Sequence, residues 1–308
     1  MRPSRGTLGL PILSALAMMA FAANSVIARL ALGNRGIDPG TFTLLRLTSG
    51  ALALMLIVFF SATRDRHKLE ILGSWTSATL LVVYAATFSY AYISLGAATG
   101  ALVLFAVVQT VLLAVALRSG ERPGIAGVAG LVLGLTGLIA LVGPGVSRPN
   151  PIGAVLMSIA GVAWAGYTLR GRGSDHPVLA TAGNFLRAIP LALAPWLLHV
   201  MLNRKEVHVD VRGVGLAVLS GAVMSGLGYA ILYTVLPSLS RSQSGIIQMA
   251  PAPLATVGGL VLLGEPITAQ LVIASFLVLM GVLIGVLRRQ PKEVEKDKTS
   301  TISGGGFE

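Results

Sequence analysis

Runs of about 20 apolar residues recur along this chain from residue 8 to residue 288. Each is as long as a helix must be to cross about 30 Å of hydrocarbon at roughly 1.5 Å per residue. The chain has 308 residues, 54% hydrophobic and only 11% charged, and its mean hydropathy is +0.81. A soluble domain cannot meet water with so little charge. The expected fold is therefore an all-α membrane protein, and the 37 glycines suit helices that approach closely inside a bilayer.

Ten spans are read, near residues 8–30, 40–61, 74–95, 98–117, 124–142, 151–169, 178–201, 213–236, 243–263 and 267–287. Helix breakers punctuate them: Asp38-Pro39-Gly40, Gly143-Pro144-Gly145, Pro149-Asn150-Pro151 and Glu265-Pro266. Beyond Arg288-Arg289 the sequence turns polar, and residues 291–308 are expected to form a disordered cytoplasmic tail. The formal net charge of +11 does not point to nucleic acid, because Lys and Arg lie in short links and in the tail and form no basic face. Their placement predicts orientation instead. With the N-terminus inside, the cytoplasmic segments hold roughly 15 Lys and Arg against roughly 6 outside, so both termini are expected in the cytoplasm of a bacterial inner-membrane protein.

Cysteine is absent, which excludes disulfides and thiolate metal sites, and the four histidines show no ligand spacing. No metal and no cofactor is expected. The opening Met-Arg-Pro-Ser-Arg before an apolar run also fits a cleaved signal peptide. An internal repeat argues against cleavage. Ala22-Ala23-Asn24-Ser25 aligns with Ala163-Trp164-Ala165-Gly166, Arg29 with Arg170 and Leu45-Arg46 with Leu186-Arg187, all 141 residues apart. Gly120-Glu121 then aligns with Gly264-Glu265 at 144. The first copy is placed at 1–147 and the second at 148–290. Five helices per copy is an odd number, so the second copy crosses the membrane in the opposite sense, the arrangement of many secondary transporters.

Asn24-Ser25 before Arg29, Ala98-Thr99-Gly100-Ala101-Leu102 leading to Gly120-Glu121-Arg122, and Ser244-Gly245-Ile246 leading through Pro251-Ala252-Pro253 to Gly264-Glu265-Pro266 together resemble the ten-helix EamA-type branch of the drug/metabolite transporter superfamily. The resemblance spans about residues 8–288, and within the superfamily it is nearest to YddG-type exporters of aromatic amino acids. It implies export of small metabolites. One departure stands out: the first copy has Gln109 where the second has Pro253, so the fourth helix is expected to be the straighter of the two.

A solute site is expected near the midplane between the copies, from residues that would be costly against lipid. The amides are Asn24, Gln109 and Gln248, each of which alternatively bonds a neighbouring helix. The aromatics are Tyr84, Trp164 and Tyr229, joined by Ser244 in the ninth span. Trp75, Trp196 and Tyr233 are expected in an interfacial belt. For Arg46 and Arg187 the expected state is snorkelling to an interface, and the sharper alternative is pairing with a carboxylate or phosphate on the solute. Glu121 and Glu265 are expected to serve as loop or cap residues.

No Asp, Glu or Lys falls mid-span, so proton coupling through an embedded carboxylate is not visible, and uniport or exchange is expected. The glycines of the fifth and tenth spans are expected to pack helices within one chain, which favours a monomer over a homodimer. The alternative within transport is a broad drug or amine exporter. A lipid-acting membrane enzyme would need paired carboxylates or a histidine cluster, which the sequence lacks, so no enzyme is expected.

Overall fold

In the computed structural model the described residues are 9–62, 72–120, 125–142, 149–171, 174, 176–202, 207–239, 244, 247–266 and 268–287. Glu121, the expected tail and the N-terminal eight residues lie outside them. The first half holds α1 (Gly9–Gly33), α2 (Pro39–Ala62), α3 (Trp75–Ala91), α4 (Ala97–Arg118) and α5 (Ile125–Val142). The second holds α6 (Pro151–Gly171), α7 (Pro177–Leu202), α8 (Val211–Leu219), a π-helical stretch Ser220–Leu227, α9 (Gly228–Val235), α10 (Pro251–Leu263) and α11 (Ala269–Leu287). Among the described residues six helical stretches are long and apolar enough to cross a membrane, the stretch Val211–Ser238 being one of them, and shorter apolar helices accompany them.

The helices start where the sequence supplies caps. Proline occupies the first position of α2, α6, α7 and α10, where its missing N–H costs nothing. Asp38 accepts from Thr41 N–H ahead of α2 (2.9 Å), and Asn150 accepts from Gly153 N–H ahead of α6 (3.0 Å). Asp210 and Ser74 cap α8 and α3 in the same way. Large apolar side chains line the outside of the bundle, among them Leu52, Leu56 and Phe60 at helical spacing on α2, while Arg46, Asn24 and Gln109 are buried. Such an arrangement matches lipid outside and polar groups within.

Packing follows the repeat. Exchanging α1 with α6, α2 with α7, α3 with the α8–π–α9 stretch, α4 with α10 and α5 with α11 leaves the pattern of neighbours almost unchanged. Thus α4 on α6 is matched by α10 on α1, α3 on α6 by α9 on α1, and α3 on α7 by the π stretch on α2. The pairs α2–α7, α4–α10 and α5–α11 map onto themselves. In the last of these pairs Gly130 and Gly281 face each other: a methyl group on Gly130 would lie 2.6 Å from the Gly281 carbonyl oxygen. Only glycine permits that approach.

Two expectations change. The ninth span, read as 243–263, is not one regular helix: residues 248–250 form a turn, and α10 begins only at Pro251. Pro251 and Pro253 lack the N–H groups that would bond backward, so the helix starts afresh there. In contrast α4 runs unbroken through Gln109, as the absence of proline predicts. Tyr233 does not join an interfacial belt. It is buried, its hydroxyl donating to the Tyr167 carbonyl at 3.4 Å. Of the other belt residues Trp75 is exposed, whereas Trp196 donates to Thr41 Oγ1 at 2.9 Å.

Candidate functional site

The seam between α1, α3, α4 and α6 encloses a small cavity lined by Phe21, Asn24, Ser25, Tyr84, Phe88, Leu104, Phe105 and Trp164. It has room for about one water molecule, so the bundle is closed around it. Trp164 is its hub. The indole ring lies 4.8 Å from the ring of Tyr229, 5.1 Å from that of Tyr84 and 5.6 Å from that of Phe21, in the tilted and edge-on arrangements that favour aromatic pairs. Its Nε1–H donates to Gln248 Oε1 at 2.8 Å, and Gln248 Nε2 donates to the Ser244 carbonyl at 3.1 Å. The turn ahead of α10 thereby aims an amide at the aromatic cluster. On the opposite wall Asn24 Oδ1 accepts from the Ser220 hydroxyl at 2.6 Å, which ties α1 to the π stretch.

Of the residues predicted from the sequence, Asn24, Tyr84 and Trp164 line the cavity. Tyr229 packs on Trp164, Gln248 stands one hydrogen bond behind the indole, and Ser244, through its carbonyl, stands two behind it. Gln109 is buried but does not line the cavity, and its Oε1 has no partner among the described residues. From α4 it is Leu104 and Phe105 that reach the space. Residues that sequence reasoning missed were within its reach. Phe21, Asn24 and Ser25 share one face of α1, and Phe88 sits one turn beyond Tyr84, at the spacing that brings helical neighbours together.

Arg46 corrects an expectation. It does not snorkel: only 2% of its surface is exposed. Its position on α2, about 10 Å from Pro39 along the axis, turns it toward α3 and the π stretch and away from lipid. Nη2–H donates to Tyr84 Oη at 3.0 Å and Nε–H to Ser225 Oγ at 3.1 Å, and the guanidinium carbon lies 4.7 Å from the Phe88 ring centre. Cation–π attraction of this kind is worth about 2 kcal/mol when desolvated. Arg187, its counterpart in the second copy, stays at the edge. There its Nη1–H donates to the carbonyls of Leu72 (2.9 Å) and Gly183 (3.1 Å), with the guanidinium over Trp75.

Contacts between the two halves close both ends of the bundle. At the end where α1 finishes, Ile37 pairs with Val209 in an antiparallel bridge, and Asp38 N–H donates to the His208 carbonyl at 2.8 Å. Gly264 takes a left-handed conformation (φ 64°) and ends α10, so that Glu265 reaches the start of α4. Its carboxylate accepts from Ala97 N–H at 2.9 Å and pairs with Arg29 at 3.6 Å. An anion at a helix N-terminus is favoured by the helix dipole. The Gly-Glu motif is therefore a turn followed by a cap, as expected for Glu265. At the other end Ser74 N–H donates to Asn184 Oδ1 at 2.8 Å, and Arg170 donates to Ser77 Oγ at 3.0 Å.

Comparison with known proteins adds what geometry leaves open. The model of the EamA-like transporter family matches residues 9–143 and again 151–287. The chain belongs to the EamA-like transporter family. It is a multi-pass membrane protein of the transporter class, built from two copies of the family domain. An uncharacterized protein of Pseudomonas aeruginosa is 45% identical over 282 residues, 92% of this chain and 95% of that one. The threonine/homoserine exporter RhtA of Salmonella typhimurium is 33% identical over 196 residues, 60% of this chain and 63% of its own. A crystal structure 22% identical superposes with a TM-score of 0.68 over 92% of this chain and 98% of that one, which shows the shared fold.

Proposed function

We propose that the chain is a secondary transporter that exports small metabolites, aromatic amino acids foremost, by alternating access between its inverted copies. The observation that carries the reading is the closed cavity at the seam of the copies, where aromatic rings and amides converge on one small space. Rings stack on planar or apolar solutes, and amides bond an ammonium or a carboxylate. Sliding of one copy against the other opens that space to one side and then to the other. Ten crossings, both termini in the cytoplasm of a bacterial inner membrane, and a functional monomer complete the proposal, with the copies divided near residues 147 and 148. No carboxylate faces the described cavity, which supports uniport or exchange over proton antiport.

The similarity to a threonine/homoserine exporter favours a second reading, in which the solute is a small hydroxy amino acid. Counterflow in proteoliposomes loaded with labelled phenylalanine, tryptophan, threonine and an organic cation decides among them. Saturable flux of the aromatic amino acids, lost in Trp164→Ala protein that still folds, is the expected outcome. Flux of threonine alone selects the second reading, and flux of the cation alone a drug exporter. Strong acceleration by a pH gradient, beyond its effect on solute ionisation, overturns uniport.

A further inference from the structure

Three features of the bundle centre stand together without being explained by packing. Arg46 carries a full positive charge and is buried, yet among the described residues it forms no ion pair. Its Nη1 is left without a hydrogen-bond partner. The Tyr229 hydroxyl lies close enough to the same guanidinium to interact with its charge, yet the two form no aligned hydrogen bond, and the hydroxyl too is buried without such a partner. The guanidinium N–H can only donate, and the hydroxyl, which can also accept, has a proton left to donate even if it turns toward the arginine. Two donors, one of them cationic, left unpaired side by side in a membrane interior are costly unless an acceptor of opposite charge visits them.

We propose that Arg46 and Tyr229 form the subsite that holds the carboxylate of the transported solute, a proposal that rests on the transporter reading above. The geometry selects the chemical class. The subsite offers a single positive charge, because the second intramembrane arginine gives its Nη1 to the backbone carbonyls of Leu72 and Gly183. One guanidinium neutralises a monoanion, whereas a phosphate dianion would remain half unpaired. Tyr84 connects subsite and cavity: it accepts from Arg46 Nη2 through its hydroxyl and lines the cavity with its ring. In the closed bundle that hydroxyl holds one edge of the guanidinium. A carboxylate reaching past Tyr84 takes Nη1 and the Tyr229 hydroxyl, which leaves the rest of the solute against Trp164 and Phe21. Arg46 therefore has no need of a permanent counter-ion, since each solute brings one.

The test is competition in proteoliposomes by compounds that differ only at the carboxylate. L-phenylalanine and L-threonine are each paired with their amides, L-phenylalaninamide and L-threoninamide. The amide of whichever amino acid shows counterflow is expected to compete at least about tenfold more weakly than the acid, the worth of a charge-assisted hydrogen bond. In Arg46→Gln protein the acid is expected to fall to the level of its amide. Tyr229→Phe, which deletes one hydroxyl and keeps the ring, is expected to weaken the acid about three- to tenfold and leave the amide unchanged. Equal competition by acid and amide in the parent, or equal losses of both in Tyr229→Phe, overturns the subsite while leaving the exporter reading intact. Absence of counterflow for both amino acids overturns the reading on which the subsite rests. Quenching of tryptophan fluorescence by the acid but not the amide, in detergent-purified protein, gives a readout independent of transport.

Discussion

The two copies carry the same landmarks and put them to different use. Arg46 and Arg187 occupy matching positions on α2 and α7, yet the first is enclosed by Tyr84, Phe88 and Ser225 while the second binds backbone carbonyls at the edge of the bundle. α4 is a continuous helix of 22 residues, whereas α10 has 13 and follows a turn that delivers Gln248 to Trp164. α7 also contains Pro190 and Pro195, which α2 lacks. Duplication thus set the frame, and single residues then decided which copy supplies charge and which supplies an irregular backbone.

The sharpest way to break this contrast is to truncate both arginines. Arg46→Ala is expected to lower initial counterflow about 100-fold, whereas Arg187→Ala lowers it less than about threefold, rates being normalised to inserted protein. Comparable losses would mean that the copies are not specialised. Next in size is Gln109→Pro, which places a proline where the second copy has Pro253. Because α4 is unbroken there, the change is expected to destabilise the helix by about 3 kcal/mol and to lower the melting temperature of detergent-solubilised protein. An unchanged melting temperature would show that α4 tolerates a break as α10 does.

A smaller effect is expected from Glu265→Gln, which removes the ion pair with Arg29 but keeps an acceptor for Ala97 N–H. The pair is partly exposed, so its loss is worth about 1 kcal/mol or less. The chain has no cysteine, so a Ser25→Cys probe in the cavity can report on opening. It is expected to react severalfold faster with an impermeant maleimide applied from the end where α1 finishes. Equal rates would remove Glu265 from the closure. The smallest change is Trp75→Ala, where the ring is exposed and lies 6.0 Å from the guanidinium of the edge arginine. Its effect on thermal stability is expected to stay within about 0.5 kcal/mol.

Much of the fold could be read in the sequence because hydrocarbon imposes length and polarity rules on every span, and because the repeat repeats its own evidence at Arg29 and Arg170, Arg46 and Arg187, Gly120 and Gly264. The site was legible in part. Asn24, Tyr84 and Trp164 were costly residues in apolar helices, which is the signal that marks them. Phe21 and Phe105 escaped because an apolar ring in an apolar helix carries no such signal until a polar neighbour reveals which face looks inward. Arg46 was misplaced for a different reason. Distance from the end of a span sets whether a guanidinium can reach the interface, but helix rotation decides whether it points there, and rotation follows from packing that a single span does not encode. The turn before α10 was foreshadowed by Pro251 and Pro253, although nothing local fixed its exact residues.

The π stretch Ser220–Leu227 has a consequence for the energetics of the transport cycle. Matching residues are 141 apart up to Arg46 and Arg187 but 144 apart at Gly120 and Gly264, so the second copy is the longer one between those points. A wide helical turn absorbs an extra residue without breaking the helix, and this one lies inside that interval. Two identical copies would relate the inward-facing and outward-facing forms by a two-fold rotation and give them equal free energy. Among the described residues such a turn occurs in one copy alone and removes that equality, so on the alternating-access reading proposed above the empty carrier rests preferentially on one side.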